Sequence, residues 1–216
     1  MMKYVLFDLD GTLVDTGEGI LASIRHAFDV MGYTDMDESQ MRCFIGPPLK
    51  EAFVAHCGFS EEKSAEAVKI FREHYARVGK NICEPYAGIE TTLSRLREAG
   101  LTLFVATSKP TVFARDILDR FALSGYFADI VGSNLDNTRS KKCEVISYIL
   151  ETYGIQRLDE VVMIGDKAQD LIGAKQCGVH GLGVTYGFGS VEELSGEPHI
   201  ALLDTTTAVA DLLCTK

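Results

Sequence analysis

Two aspartates two residues apart, Asp8 and Asp10, follow the apolar run Tyr4-Val5-Leu6-Phe7 and precede Gly11-Thr12. Carboxylates this close repel unless a cation or a shared proton offsets their charge. The unbroken apolar run reads as a strand buried on both faces of a parallel sheet, and the Gly-Thr break puts both acids at its carboxyl end. In open α/β sheets that edge is where ligands are held. Aspartates after a strand also serve simply to hydrogen-bond a turn, so the pair alone leaves both readings open. A calcium loop does not fit. Counting from Asp8, its sixth position is Leu13 where Gly is required, and its twelfth is Gly19 where a bidentate Glu is required.

Other polar clusters follow other short apolar runs. Thr107-Ser108-Lys109 ends one over 102–106, Gly165-Asp166 ends one over 161–164, and Asp170 lies four residues beyond Asp166, on the same face of a short helix. Lys141 and Lys142 precede a helical pattern that begins at Glu144. Each has an ordinary use: Thr107 as a helix cap, the lysines as a solvated helix start, the two acids as complements to a helix dipole. Parallel strands, however, bring their carboxyl ends to one edge. Four acids, a hydroxyl and a lysine gathered there describe a divalent cation facing a phosphoryl group, and hard oxygen ligands suit Mg²⁺. One carboxylate can attack phosphorus and a neighbour can exchange a proton with the leaving oxygen, while metal and lysine offset charge on the transferring oxygens.

The elements that position these clusters follow from periodicity. Ile20, Leu21, Ile24, Ala27, Phe28 and Met31 predict a helix over 18–32, and Ala65, Val68, Phe71 and Tyr75 predict another over 61–78. No strong strand separates them. Residues 16–83 are therefore expected to form a helical insert, with Glu84-Pro85-Tyr86-Ala87-Gly88 as the return hinge. From residue 89, predicted helices (89–99, 112–121, 144–153, 168–177) alternate with predicted strands (102–106, 128–131, 161–164, 183–185). The expected fold is α/β: a Rossmann-like parallel sheet with helices on both faces, built from 1–15 and 84–216, plus the all-helical insert.

Composition narrows the function classes. The 216 residues carry 31 acidic against 21 basic side chains, a formal charge of −10, which opposes nucleic-acid binding. Six scattered cysteines form no C-x-x-C pair, and no secretory leader precedes the first strand, so a reducing cytoplasmic setting is expected. The five histidines show no paired metal-ligand spacing. No apolar stretch approaches the roughly 18 residues that a membrane helix needs, so no membrane partner is expected.

With Asp8-Leu9-Asp10-Gly11-Thr12, Thr107-Ser108-Lys109, a lysine in Ser140-Lys141-Lys142 and Gly165-Asp166-Lys167-Ala168-Gln169-Asp170 in order along the chain, the sequence resembles the haloacid-dehalogenase-like (HAD) hydrolase superfamily. The resemblance implies a Rossmann-like core with a helical cap after the first motif. It implies Asp8 as a nucleophile forming an aspartyl-phosphate, and Asp10 as general acid and then base. Thr107, with backbone N–H groups of Leu9 and Ser108, would bind phosphoryl oxygens. Lys142, with Lys141 as the alternative, would face the phosphate. Mg²⁺ would be held by Asp8, the Asp10 carbonyl and Asp166, with Asp170 close by.

Dehalogenating relatives lack the acid at position 10, which favours phosphate chemistry. Softer likenesses to the phosphoglycolate phosphatase group and its 5′-nucleotidase-like branch run through Phe44-Ile45-Gly46-Pro47-Pro48-Leu49, Gly132-Ser133-Asn134-Leu135-Asp136-Asn137-Thr138-Arg139 and Tyr186-Gly187-Phe188-Gly189. Asn137 departs from the Gly common at that position. The resemblance makes 45–50 the expected specificity loop, with Gly46, Pro47 and Lys50 as substrate contacts and Lys109 as a fourth, while Pro47-Pro48 equally fits a rigid turn between helices and Lys109 a solvated side chain. The implied partner is a small phosphorylated metabolite, and the chain is expected to be a monomer or homodimer. A sugar phosphomutase could share this core. A phospho-accepting receiver module would lack the insert and the second acid.

Overall fold

The continuous apolar run near the amino terminus forms β1 (Tyr4–Phe7), at the centre of a sheet in the computed structural model, which describes residues 2–37, 39–136 and 138–214. The other strands of this sheet are β4 (Thr102–Pro110), β5 (Asp129–Ser133), β6 (Val161–Gly165), β7 (His180–Val184) and β8 (Leu202–Leu203). Their order is β5-β4-β1-β6-β7-β8, and every pairing is parallel. Tyr4 sits opposite Thr102 and Val161, and Phe7 opposite Val105 and Ile164, so the three central strands run in register, with β4 continuing beyond the other two to Pro110.

Successive strand residues point to opposite faces, and both faces of this sheet are covered. On one, Leu6, Phe104, Ala106 and Met163 pack with Val145, Ile146 and Ile149 of α6 (Lys142–Thr152) and Ala174 of α7 (Ala168–Gln176). The alternate set, Val5, Phe7, Leu103, Val105, Val162 and Ile164, is equally buried. The remaining helices of this unit are α4 (Ile89–Glu98), α5 (Thr111–Arg120), α8 (Val191–Ser195) and α9 (Thr206–Leu213). The Thr92 hydroxyl of α4 donates to the Thr206 carbonyl of α9 at 2.9 Å. Each Val, Leu, Ile or Phe buried this way stabilises the fold by roughly 1.5–3 kcal/mol before conformational entropy is charged against it.

Two compact units divide the chain: 1–14 with 85–216, and 15–84. Both chain crossings between them are short strands, β2 (Val14–Asp15) and β3 (Glu84–Pro85), which pair with each other. The second unit holds α1 (Gly17–Met31), α2 (Leu49–Cys57) and α3 (Glu61–Arg77). Its core is aromatic. Phe53 lies 4.8 Å from Phe44, 6.1 Å from Phe28 and 6.0 Å from Phe59 between ring centroids, and Tyr33 lies 5.0 Å from Phe59. The Ser60 hydroxyl caps α3 by accepting the Lys63 N–H.

Several details differ from the sequence reading. The buried stripe of α3 runs through Ser64, Ala67, Val68, Phe71 and Tyr75, and Ala65 is exposed because it sits one position off that face. Strand β7 starts at His180, ahead of the expected 183, since Gly181 and Gly183 weaken its apolar signal. Helix α2 and the segment after β7, with α8, β8 and α9, were not anticipated. Asn137 lies outside the described residues. Among the described residues, no helix is long and apolar enough to cross a membrane.

Candidate active site

Because the central strands are parallel and in register, the residues beyond Phe7, Ala106 and Ile164 come to one edge. The Asp8 N–H donates to the Ile164 carbonyl at 2.8 Å and carries the ladder one residue past β1. The chain then turns sharply. The Leu9 carbonyl accepts N–H groups from Thr12, Leu13 and Val14 at 3.3, 3.0 and 3.0 Å. Gly11 makes this possible with φ +81°, a left-handed conformation that side chains disfavour, and a Cβ there would fall 2.1 Å from Asp166 Oδ2. The turn aims the Thr12 hydroxyl at Asp166 Oδ1, 3.2 Å away.

Asp166 is fully buried, and the Phe188 N–H donates to its Oδ2 at 2.7 Å. The strand-to-loop segment that supplies this N–H passes so close that a Cβ on Gly187 would lie 2.4 Å from Asp166 Cβ. Burial, then the nearby Asp170 and Asp8 carboxylates, hold the Asp166 carboxyl well above the usual carboxylate range. Asp170, on the first turn of α7, accepts the Lys167 N–H at 3.1 Å. Burial pushes its carboxyl up to about 6, with Lys142 pulling it down and Asp8 pushing it up.

Lys142 opens α6 and is buried. Its Nζ lies 2.8 Å from Asp8 Oδ1 and 2.9 Å from Asp170 Oδ1, and donates to the Ala106 carbonyl at 2.8 Å. Burial disfavours the ammonium, but Asp170 and Asp8 outweigh it and hold the proton more firmly than on a free lysine. Lys141 is exposed, and its N–H donates to Glu144 at 3.2 Å. Of the two lysines left open by the sequence, Lys142 is the one among the acids.

Oxygen atoms of Asp8, Asp166 and Asp170 lie within 4.8 Å of one another. Three carboxylates against the Lys142 ammonium leave an excess of negative charge in a buried place. That charge, the hard oxygen donors and the high proton affinity of Asp166 all fit a divalent cation. Thr107 is fully buried beside this edge, its hydroxyl accepting the Lys109 N–H at 3.2 Å, and Ser108 is half-buried. Leu9 is fully buried.

The remaining sequence candidates divide between the two units. Lys109 forms an ion pair with Asp10 at 2.8 Å. Gly46 and Pro47 belong to the turn leading into α2 in the second unit, and Lys50, on α2, pairs with Glu61. Two supports carry no role in the sequence analysis, Glu193 being unmarked there and Tyr186 appearing only within the Tyr186-Gly187-Phe188-Gly189 likeness. Glu193 accepts the Ala168 N–H at 2.9 Å and the Lys167 ammonium at 2.9 Å, closing the start of the helix that carries Asp170. The Tyr186 hydroxyl donates to the Thr12 carbonyl at 2.9 Å and braces the turn after Asp10. Both reach the site from distant segments, so the sequence does not show what either one contacts.

A family model described as haloacid dehalogenase-like hydrolase matches residues 5–184. A relative from Pseudomonas aeruginosa named 5′-nucleotidase is 44% identical over 190 residues, 88% of this chain and 86% of that one. A phosphoglycolate phosphatase from Vibrio parahaemolyticus is 26% identical over 220 residues, covering 98% of this chain and 96% of the relative. A crystal structure described as a predicted phosphatase from Clostridium acetobutylicum superposes with a TM-score of 0.95 at 41% identity, covering 99% of this chain and 98% of that one.

Proposed function

Because the chain belongs to the haloacid dehalogenase-like hydrolase family, we propose that it hydrolyses a small phosphate monoester through an aspartyl-phosphate. The observation that carries this reading is Asp8 beside Asp166, Asp170 and Lys142 at the strand edge, with Asp10 two residues on. An Asp8 carboxylate oxygen attacks phosphorus, the bond from phosphorus to the ester oxygen breaks, and that oxygen takes the Asp10 proton to leave as an alcohol. Water then attacks the phosphorus of the acyl phosphate, giving its proton to the Asp10 carboxylate. Inorganic phosphate departs and the Asp8 carboxylate is restored.

Lys142 holds Asp8 in place and brings positive charge to the transferring oxygens. The Thr107 hydroxyl and the N–H groups of Leu9 and Ser108 bind the same oxygens. Mg²⁺ is the proposed cofactor, with Asp8, Asp166 and the Asp10 carbonyl as ligands and Asp170 alongside. When bound, it offsets the carboxylate charge and withdraws electron density from the phosphoryl group. The names of the relatives favour phosphoglycolate or a nucleoside 5′-monophosphate as substrate. The family resemblance assigns Gly46, Pro47 and Lys50 of the helical cap to recognition of the leaving group.

Phosphate release from p-nitrophenyl phosphate, phosphoglycolate and adenosine 5′-monophosphate, with and without Mg²⁺, tests the proposal. Metal-dependent release is expected, and Asp8→Asn should lower it at least about 10⁴-fold, as loss of a covalent nucleophile does. Failure on all three esters overturns it, and interconversion of sugar phosphates without net release favours a mutase instead.

A further inference from the structure

Within the phosphatase reading, on which this inference rests, we infer that Lys109 is a positioning residue for the general acid Asp10 and not a substrate contact. Its Nζ lies 2.8 Å from Asp10 Oδ1, and the two side chains are only 6% and 12% exposed. A lysine this covered gives up water on nearly all sides and takes a carboxylate in exchange, so the ammonium is committed to a protein partner.

The backbone around Lys109 is built to hold it there. The register of β4 against β5 shifts between Ala106 and Pro110, which takes Thr107, Ser108 and Lys109 out of the regular ladder. Within that stretch the Lys109 N–H donates to the Thr107 hydroxyl at 3.2 Å. Strand β5 crosses so near that a Cβ on Gly132 would fall 2.1 Å from the Lys109 carbonyl. The Gly132 N–H donates to the Thr111 hydroxyl at 2.9 Å, fixing the far side of the same bulge. Lysine 109 therefore leaves the sheet at a set point and angle.

Asp10 needs such a hold because it sits where the chain enters a tight turn, just before Gly11, and must meet the leaving oxygen with its proton at the moment the ester bond breaks. Proton delivery from a fixed carboxyl contributes on the order of 10²–10⁴-fold when the leaving group is a poor one. An alkoxide is poor and depends on this proton, whereas nitrophenolate departs without it.

Substitution of Lys109 should therefore discriminate between esters. The measurement is kcat/KM, which reports steps through phosphoryl transfer to Asp8, for p-nitrophenyl phosphate and for the better of phosphoglycolate and adenosine 5′-monophosphate. For Lys109→Met, the alkyl ester is expected to lose about 30- to 100-fold and the aryl ester less than about 3-fold. Lys109→Arg should recover part of the alkyl loss. If the Met variant does not fold, Lys109→Gln carries the same comparison, with thermal melts confirming the fold. Equal losses on both esters would mean that Lys109 contacts the shared phosphoryl group and would overturn the inference, as would no loss on either. In both cases the phosphatase reading survives. A wild-type protein that releases phosphate from neither ester overturns both.

Discussion

Charge is buried in one unit of this molecule and excluded from the core of the other. Around the strand edge, Asp8, Lys109, Lys142, Asp166 and Asp170 are all buried. Among the described residues of 15–84, the buried polar side chains are Thr16, Ser23 and Ser64, and none is charged. The helical unit is held by aromatic packing around Phe53, which is the ordinary way to stabilise a small fold. The sheet edge gathers carboxylates whose proximity opposes folding, and it does so within an otherwise apolar, in-register sheet. The contrast separates residues kept for stability from residues kept despite it.

That contrast can be broken at either end. The largest effect is expected from Asp8→Asn, the loss of at least about 10⁴-fold in turnover given above, with little change in melting temperature. Next, Phe53→Ala should destabilise by about 3–5 kcal/mol in urea unfolding, the usual range for an emptied aromatic site. A change below about 1 kcal/mol would show that the aromatic cluster is not the core of its unit.

Third, Asp166→Asn should stabilise the metal-free protein. Asparagine can keep both the Thr12 and Phe188 contacts while removing a charge that burial and two acids disfavour. The sign follows from linkage. A carboxyl with a raised folded-state pKa binds more protons folded than unfolded, so its contribution to stability falls as pH rises above the unfolded value. The gain in melting temperature should thus be larger at pH 8, roughly 2–4 °C for each kcal/mol at this chain length, than at pH 4. Added Mg²⁺ should raise the wild type and leave the variant behind. A variant that melts below the wild type at pH 8 without metal refutes the idea that charge here opposes folding.

The smallest effect lies in the helical unit. His74 stacks on His26 with ring centroids 4.4 Å apart, and its Nδ1 lies 3.0 Å from the Ser23 hydroxyl. Burial, then the neighbouring imidazole, lower its proton affinity. The unfolded chain takes up this proton first, so the contribution is present above about pH 6.5 and is lost as pH falls through the folded value. An NMR titration should place His74 below that reference, and His26→Gln should move it part of the way back.

Much of this organisation is legible in the sequence, for a definite reason. A strand buried on both faces is a continuous apolar run, and parallel strands carry whatever follows them to one edge, so Asp8, Asp166 and Asp170 are read together before any contact is seen, whereas the family resemblance left Lys141 as the alternative to Lys142. Helix α2 is harder to read, because Ala52 and Phe53 alone are buried along its nine residues. The glycines of β7 hide a strand whose pairing is plain in the structure. The Lys109–Asp10 pair joins residues 99 positions apart where the register of β4 against β5 shifts, and such a shift is a property of two strands together that leaves no mark in either one. Glu193 and Tyr186 reach the site from segments far along the chain, where only the folded backbone makes them neighbours.

The pairing of β2 with β3 means that the polypeptide departs from the sheet unit and rejoins it through a single doorway. A segment spliced in at adjacent points can be lengthened, trimmed or exchanged in evolution without reordering the strands that carry Asp8 and Asp166.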